Sequence, residues 1–387
     1  ASEIFNSRVG LISALLYSIS PVVIAYSRSS WNPNIFPFFS LLTLYLIYKA
    51  LVKNNTTLFI LGGILLGISM QLHYLAFFLG FIIAIYVLSN YLIKGIFENH
   101  TENIFGAVKS YFLIFLGFII GLSPFLAFEV RHGFPNVISI FNFILHSGDT
   151  DAGIRFFDNI SNVFFRLFAR LVTNFPPPEQ VAIRAHLDMA VWYYLTLLLA
   201  IVSVSVLLYK FVQVFPSLRQ KAKESPEFLR LLLLIIWLVV GIGLFGFYKK
   251  PIYDYYLGFM FPLPFILTGV AFDFFIFNKK NIFKIIGVAG LITVVYINLT
   301  GIPFRYSPNR QLGQVETISK FVLDKADNKP FNFALITGGN SDHAYRYFFT
   351  IWGDPPVAIE NPQKDPSRKS VTDQLLVVCE QNPCHPL

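Results

Sequence analysis

Four short stretches of the sequence place polar side chains beside apolar runs, and each holds groups that can bind phosphate, sugar hydroxyls or protons. SRSSWNPN supplies Arg28, Trp31, Asn32 and Asn34. An arginine there can grip a phosphate through parallel hydrogen bonds, and a tryptophan can stack on a sugar face. The same pair also suits a snorkelling arginine and an interfacial anchor. MQLHYLAF contributes Gln71 and His73; the imidazole can serve a polar headgroup, a metal or a proton, or cap the short connection between helices. SPFLAFEVRHGFPN holds Glu129, Arg131 and His132. Glu129 is a candidate base or acceptor ligand and equally a candidate for a structural ion pair at a helix end. YKKPIYDYY sets Lys249 and Lys250 beside Tyr253, Asp254, Tyr255 and Tyr256. Cations among aromatic and carboxylate groups suit a phosphate or diphosphate near a lipid surface, although lysines flank many spans.

Apolar segments must position these groups. Of 387 residues, 55% are hydrophobic, 17% aromatic and 13% charged, and a soluble domain carries roughly twice that share of charge. The apolar residues fall into separate runs near the ~20 residues that cross a ~30 Å hydrocarbon core, without the alternation of a barrel. About nine helical spans are expected, near 9–26, 34–51, 58–71, 74–93, 110–128, 189–213, 230–248, 255–277 and 283–300. The third is short, and Gly62, Gly63 and Gly67 make it a candidate for a tilted, broken or re-entrant segment. The formal charge of +8 lies in clusters between spans and forms no basic face, which argues against a nucleic-acid partner. With the first residues cytoplasmic, the inner connections hold most of the span-flanking basic residues, and the short outer loops hold only Arg28, Lys249 and Lys250. All four polar stretches then face outward, with 129–188 and everything after about 301.

The reading is therefore an all-α polytopic membrane domain, 1–300, followed by a small extracytoplasmic α/β domain, 301–387. In the latter, helices at 312–326 and 340–351 alternate with strands at 331–337 and 374–380. Within 129–188, Phe164, Phe165, Leu167, Phe168 and Leu171 recur at helical spacing around Arg166 and Arg170, which predicts amphipathic helices on the membrane surface. The two cysteines, Cys379 and Cys384, cannot make a disulfide framework or a four-cysteine zinc site but can bridge locally outside the cytoplasm. Asp149 and Asp151 fall short of a calcium loop. No P-loop, HExxH, GxSxG or suitably flanked GxGxxG appears, so ATP hydrolysis, zinc proteolysis and serine hydrolysis have no support. No cofactor is expected, and a divalent cation has no support in the sequence.

The runs RVGLISALLYSISPVVIAYSRSSWNPNIFPFFSLLTLYLIYKAL and LGGILLGISMQLHYLAFFLGFII resemble the middle of a GT-C glycosyltransferase of the dolichyl-phosphate-mannose protein mannosyltransferase and aminoarabinose transferase type. GLSPFLAFEVRHGFPN and YDYYLGFMFPLPFIL are similar to later membrane segments of bacterial family 39 relatives. The resemblance covers about residues 1–300. It implies an enzyme of a bacterial or archaeal plasma membrane that transfers a hexosyl or pentosyl group, with inversion, from a polyprenyl-phosphate donor to a lipid, glycan or protein acceptor outside. It also aligns the first span here with the family's third, so the catalytic acidic residue is expected upstream of Ala1 and the chain reads as an N-terminally truncated fragment; the last domain, which ends at Leu387 without a closing element, reads as truncated too. Arg28 matches by position the arginine near the donor phosphate, whereas Lys249 and Lys250 have a looser counterpart. The reaction needs a base, charge stabilisation for the departing phosphate and a groove for the prenyl chain. Arg28, Lys249 and Lys250 are assigned to the phosphate. Trp31, Asn32, His73, Arg131, His132, Tyr253, Asp254, Tyr255 and Tyr256 are assigned to substrate, with Glu129 as a candidate catalytic group. Competing readings are a lipid-linked glycan polymerase or ligase, with a differently placed Arg- and His-rich loop, and a transporter or flippase, for which internal repeats and mid-span charges are expected.

Overall fold

The computed structural model describes residues 2–98, 102–145, 155–181, 183, 186–220, 226–248, 250–338, 341–381 and 384; Lys249, Asp149 and Asp151 lie outside them. The chain divides into a unit Ala1–Arg305 and a unit Tyr306–Leu387. The first unit contains α1 (Ser7–Ile19), α2 (Pro21–Ser27), α3 (Phe36–Lys53), α4 (Thr56–Leu72), α5 (Ala76–Glu98), α6 (Glu102–His132), α7 (Pro135–Leu145), α8 (Phe156–Leu171), α9 (Leu187–Gln220), α10 (Pro226–Phe245), α11 (Pro262–Ile276) and α12 (Asn281–Gly301). Among the described residues, 6 helices are long and apolar enough to cross a membrane, or up to 8 spans result if each bent pair counts as one. The chain is thus an all-α polytopic membrane protein with fewer full crossings than the expected nine, because α4, at 17 residues, sits at the short limit of what spans a bilayer.

α4 is unbroken despite its glycines, which serve a close approach instead. A Cβ on Gly63 would stand 2.1 Å from the Ile114 carbonyl oxygen, one on Gly117 2.1 Å from that of Ile60, and one on Gly121 2.1 Å from that of Ile64. Small residues four apart on both helices let the backbones of α4 and α6 touch, which matters where lipid offers no hydrophobic drive for helix association. Gln71 Nε2 adds a hydrogen bond to the Gly121 carbonyl at 2.7 Å. The turn from α3 to α4 is equally local. Asn54 ends α3 in the left-handed region with φ of 48°, and the Asn55 side chain accepts from the Leu58 amide at 3.1 Å to start α4.

Two rods are bent. α1 and α2 meet at 67°, and a 3-10 turn, Asp254–Met260, meets α11 at 61°. Pro21 has no amide to donate and drives Ser20 out of the helical region, to ψ 119°. The rods lie side by side. Arg8 Nε meets Asp273 Oδ1 at 2.8 Å at one end, the Tyr17 and Phe265 rings meet at 5.1 Å, and those of Trp31 and Tyr255 meet at 4.7 Å beyond the other end.

The sequence predicts surface-lying amphipathic helices in 129–188. α7 stands apart from the bundle, with Val137, Ile138, Phe141 and Leu145 exposed. α8 does not: Val163, Leu167, Phe168 and Ala169 are buried completely and Arg166 is 5% exposed, because the helix packs among α2, α9, α10 and α11. The helix is amphipathic as expected, but its polar stripe of Asp158, Asn159, Asn162 and Arg166 borders a pocket inside the unit.

In the second unit, α13 (Gln311–Ala326), β1 (Asn332–Ile336), α14 (His343–Ile351) and β2 (Leu375–Cys379) follow in order, close to the positions read from the sequence. β1 and β2 pair in parallel, Asn332 opposite Leu375 and Ile336 opposite Cys379. Phe331, Phe333, Tyr345 and Phe349 form the small core with Val322 and Ala326. Cys379 and Cys384 form a disulfide.

The α4–α6 contact yields a stability test. Gly117→Ala should lower the thermal midpoint of the purified protein in detergent, through about 1–3 kcal/mol of overpacking. Gly243→Ala, where an added Cβ meets nothing within 4 Å, should leave it unchanged or raise it slightly through helix propensity. Equal effects of the two would show that α4 and α6 do not touch at these glycines.

Candidate functional site

Three of the four polar stretches come together. After α2 the chain turns through a 3-10 segment, Asn32–Ile35, held by Asn34 Nδ2 donating to the Ser29 carbonyl at 2.9 Å. That turn leaves Arg28, Trp31 and Asn32 exposed, with the Arg28 guanidinium carbon 5.0 Å from the Phe304 ring centre. Trp31 meets Tyr255 edge-on at 4.7 Å. The connection between α4 and α5 brings His73 against Tyr255 at 5.8 Å and Tyr256 at 5.6 Å, with Tyr74 stacked on it at 4.7 Å. Tyr253 stacks on Tyr255 at 5.8 Å. Residues from the first loop, the α4–α5 turn and the start of the second bent rod therefore share one aromatic cluster.

His73 is buried, and its Nδ1 accepts from the Leu75 amide at 3.1 Å, so the neutral ring carries its proton on Nε2. Burial lowers its pKa to about 4. The rings of Tyr248 and Tyr255 lie 5.8 and 4.6 Å from that of Tyr256. Burial, followed by hydrogen bonds with Tyr74 and Tyr256, pushes the Tyr248 pKa up, which keeps that hydroxyl protonated as a donor.

Beside the cluster lies a pocket of about 680 Å³, bordered by Tyr26, Asn162, Arg166, Gln180, Asp254 and Tyr255 among others. Its charged wall is built by α8. Arg166 and Arg170 stand one turn apart on that helix, and the Asp254 carboxylate lies between them, 3.5 Å from Arg166 Nε and 2.8 Å from Arg170 Nε. Arg166 also donates to the Ile252 carbonyl, and Arg170 to the Phe175 carbonyl at 2.7 Å. Asp254, proposed from the sequence as a substrate ligand, thus has arginine partners within the protein. Arg166, Arg170, Tyr26, Asn162, Tyr74 and Tyr248 were not among the site residues read from the sequence. Asn159, Arg166 and Arg170, at i, i+7 and i+11 on the polar stripe of an amphipathic helix between apolar runs, were the available signal, since ionisable groups near a bilayer call for partners.

The fourth stretch is used differently. The Glu129 carboxylate accepts from Asn136 Nδ2 at 2.6 Å and from the Asn136 and Val137 amides at 3.4 and 3.1 Å, which caps the first turn of α7 and fixes the elbow after α6. His132 Nδ1 lies 2.8 Å from the Phe128 carbonyl and its ring stacks on Phe128 at 4.2 Å. Arg131 is exposed. None of the three borders the pocket described above. Lys250 adjoins the pocket residue Pro251, and Lys249 is outside the described residues. Among the described residues, no three His, Cys, Asp or Glu side chains come together to hold a metal ion.

Architecture and site together define a polytopic helical membrane protein with an aromatic face and a polar-lined pocket at one end of its bent rods. Residues 1–127 match the family described as dolichyl-phosphate-mannose-protein mannosyltransferase, and this supports a GT-C type, family 39-like membrane glycosyltransferase. The matched stretch includes Arg28, Trp31, Asn32 and His73. Neither a curated protein nor a solved structure matches the chain.

The buried imidazole makes stability depend on pH. Between the ordinary histidine value of 6.5 and the lowered value of about 4, the unfolded chain binds a proton at His73 and the folded protein does not. Its contribution is therefore complete above the upper value and is lost as pH falls through the window, on the order of 3 kcal/mol in all. Thermal unfolding of wild type and His73→Gln across this range should show a shallower acid slope in the variant. Identical slopes would mean that His73 is solvated.

Proposed function

We propose that the protein transfers a sugar from a polyprenyl-phosphate-linked donor to an acceptor on the extracytoplasmic side of the membrane, with inversion at the sugar. The observation that carries this reading is the meeting of Trp31, His73 and Tyr255 beside a polar pocket, in a chain whose first 127 residues match a mannosyltransferase family. In the proposal, Arg28 and Lys250 hold the donor phosphate, with Lys249, next to Lys250 in the sequence, as a further cation. The phenols and the His73 Nε2–H line the sugar's approach, and Trp31 offers a stacking face. Arg166 and Arg170 hold Asp254 and so fix the Tyr253–Tyr256 turn, which makes them positioning residues. Glu129 organises α7, and the reaction further needs a base that activates the acceptor.

The same reading places the site outside. Arg8, Lys53 and Lys279 to Lys284 lie at the opposite ends of the helices that carry the cluster, as the positive-inside rule requires of cytoplasmic ends. The Cys379–Cys384 disulfide is suited to an oxidising compartment.

Full-length protein in proteoliposomes, supplied with prenyl-phosphate mannose and a soluble acceptor, tests the assignment. Arg28→Ala should lose about 100-fold or more in turnover, the usual loss when one donor to a developing anion is removed, while its thermal midpoint stays unchanged because the side chain is exposed. Wild-type turnover in that variant would overturn the role of Arg28. No transfer by the wild type from any prenyl-phosphate sugar would overturn the function.

A further inference from the structure

The second unit carries a cleft of about 850 Å³ that the transferase reading leaves unused. Gln311, Leu312 and Gln314 at the start of α13, Ser341 and His343 at the start of α14, and Glu380 after β2 border it. β1 and β2 run parallel and both end at this cleft, where the Glu380 amide closes their ladder on the Ile336 carbonyl at 2.9 Å. The crevice beyond the carboxyl ends of parallel strands is the usual ligand position in open α/β sheets.

The Glu380 carboxylate that borders it is held in one orientation. Tyr345 Oη donates to one Glu380 oxygen at 2.8 Å and Thr337 Oγ1 to the other at 3.0 Å. The chain on either side of Glu380 is tied back by the Cys379–Cys384 disulfide. Around it stand side-chain amides and a hydroxyl, which donate and accept equally. Leu312 and Ile318 make an apolar strip on the α13 side of the same cleft. Glu380 carries the only formal negative charge among the described lining residues, and no lysine or arginine is among them. An anion would meet a carboxylate and, of the basic side chains, His343 alone. A neutral polyol fits both surfaces: its hydroxyls bridge carboxylate and amides, and its C–H face covers the aliphatic strip.

We propose that this cleft binds a neutral carbohydrate, with hydroxyls on Glu380, Gln311 and Gln314 and a ring face on Leu312. Saturation-transfer NMR on the whole protein in nanodiscs, with a panel of neutral mannose, glucose and galactose mono- to trisaccharides, reads binding directly and needs no transfer activity. At least one sugar should saturate at millimolar concentration. Glu380→Gln, which keeps an oxygen for Tyr345, should weaken it about tenfold or more, as should the exposed Gln314→Ala. Glu316→Gln, whose carboxylate pairs with Lys320 at 2.8 Å and lies outside the cleft, should leave binding intact. The proposal fails if no panel sugar binds up to about 20 mM, if binding survives both cleft substitutions, or if galacturonate binds better than galactose. Each of these outcomes leaves the transferase reading standing.

Discussion

The first unit depends on how the backbone groups freed by its bends and helix ends are satisfied where water is scarce. An unpaired carbonyl in such surroundings costs several kcal/mol, and α8 is where most of these debts meet. Its own last carbonyls are capped from elsewhere: Ser20 Oγ, freed by the break before Pro21, donates to the Leu171 carbonyl at 2.7 Å, and Asn298 Nδ2 of α12 donates to that of Val172 at 2.7 Å. In return Asn159 Nδ2 donates to the Tyr248 carbonyl at 2.6 Å, past the end of α10. Arg166 and Arg170 do the same for the Ile252 and Phe175 carbonyls. One buried helix therefore joins α2, α10, α12 and the loop before α11.

That arrangement explains why a buried arginine is tolerated. Stripping water from a guanidinium costs several kcal/mol unless a carboxylate and further acceptors replace it, and Asp254 with the loop carbonyls supplies both. The consequence for the site is positional. Tyr253, Tyr255 and Tyr256 flank a residue clamped by two arginines, so the aromatic cluster is fixed from the side away from the membrane ends of α3 and α4. Trp31 and His73 then close on it from those helices.

Much of this was legible in the sequence because lipid imposes simple rules. Apolar runs and charge clusters placed the helices, and the second unit's elements followed from alternating patterns. Trp31, His73 and the tyrosines stood out because aromatic and polar residues at span ends have few reasons to be there, and the structure brings them into one cluster. α8 was misplaced for a physical reason. A helix with arginines among phenylalanines has the same pattern whether its charged face meets water or a buried aspartate, and the partner, Asp254, lies far along the chain. Glu129 was ambiguous in the same way, since a carboxylate capping the next helix and one facing substrate share the same residue type at the same helix end. The glycines of α4 suggested a weak helix when they marked a close one, because the answering Gly117 and Gly121 belong to another span.

The two carboxylates of the second bent rod show how these constraints combine. Asp273, near one end, is held by Arg8 and by Asn6 Nδ2 at 3.2 Å; Asp254, at the other, is held by α8. Between them the rod is uncharged and its side chains from Leu257 to Phe272 are almost wholly buried. A rod pinned by ion pairs at both ends and packed on all sides in between has little freedom to slide or rotate. Its bend cannot act as a hinge without breaking one of those pairs. The tyrosine turn is therefore held rigidly, and it faces a short turn on which Arg28, Trp31 and Asn32 lie exposed.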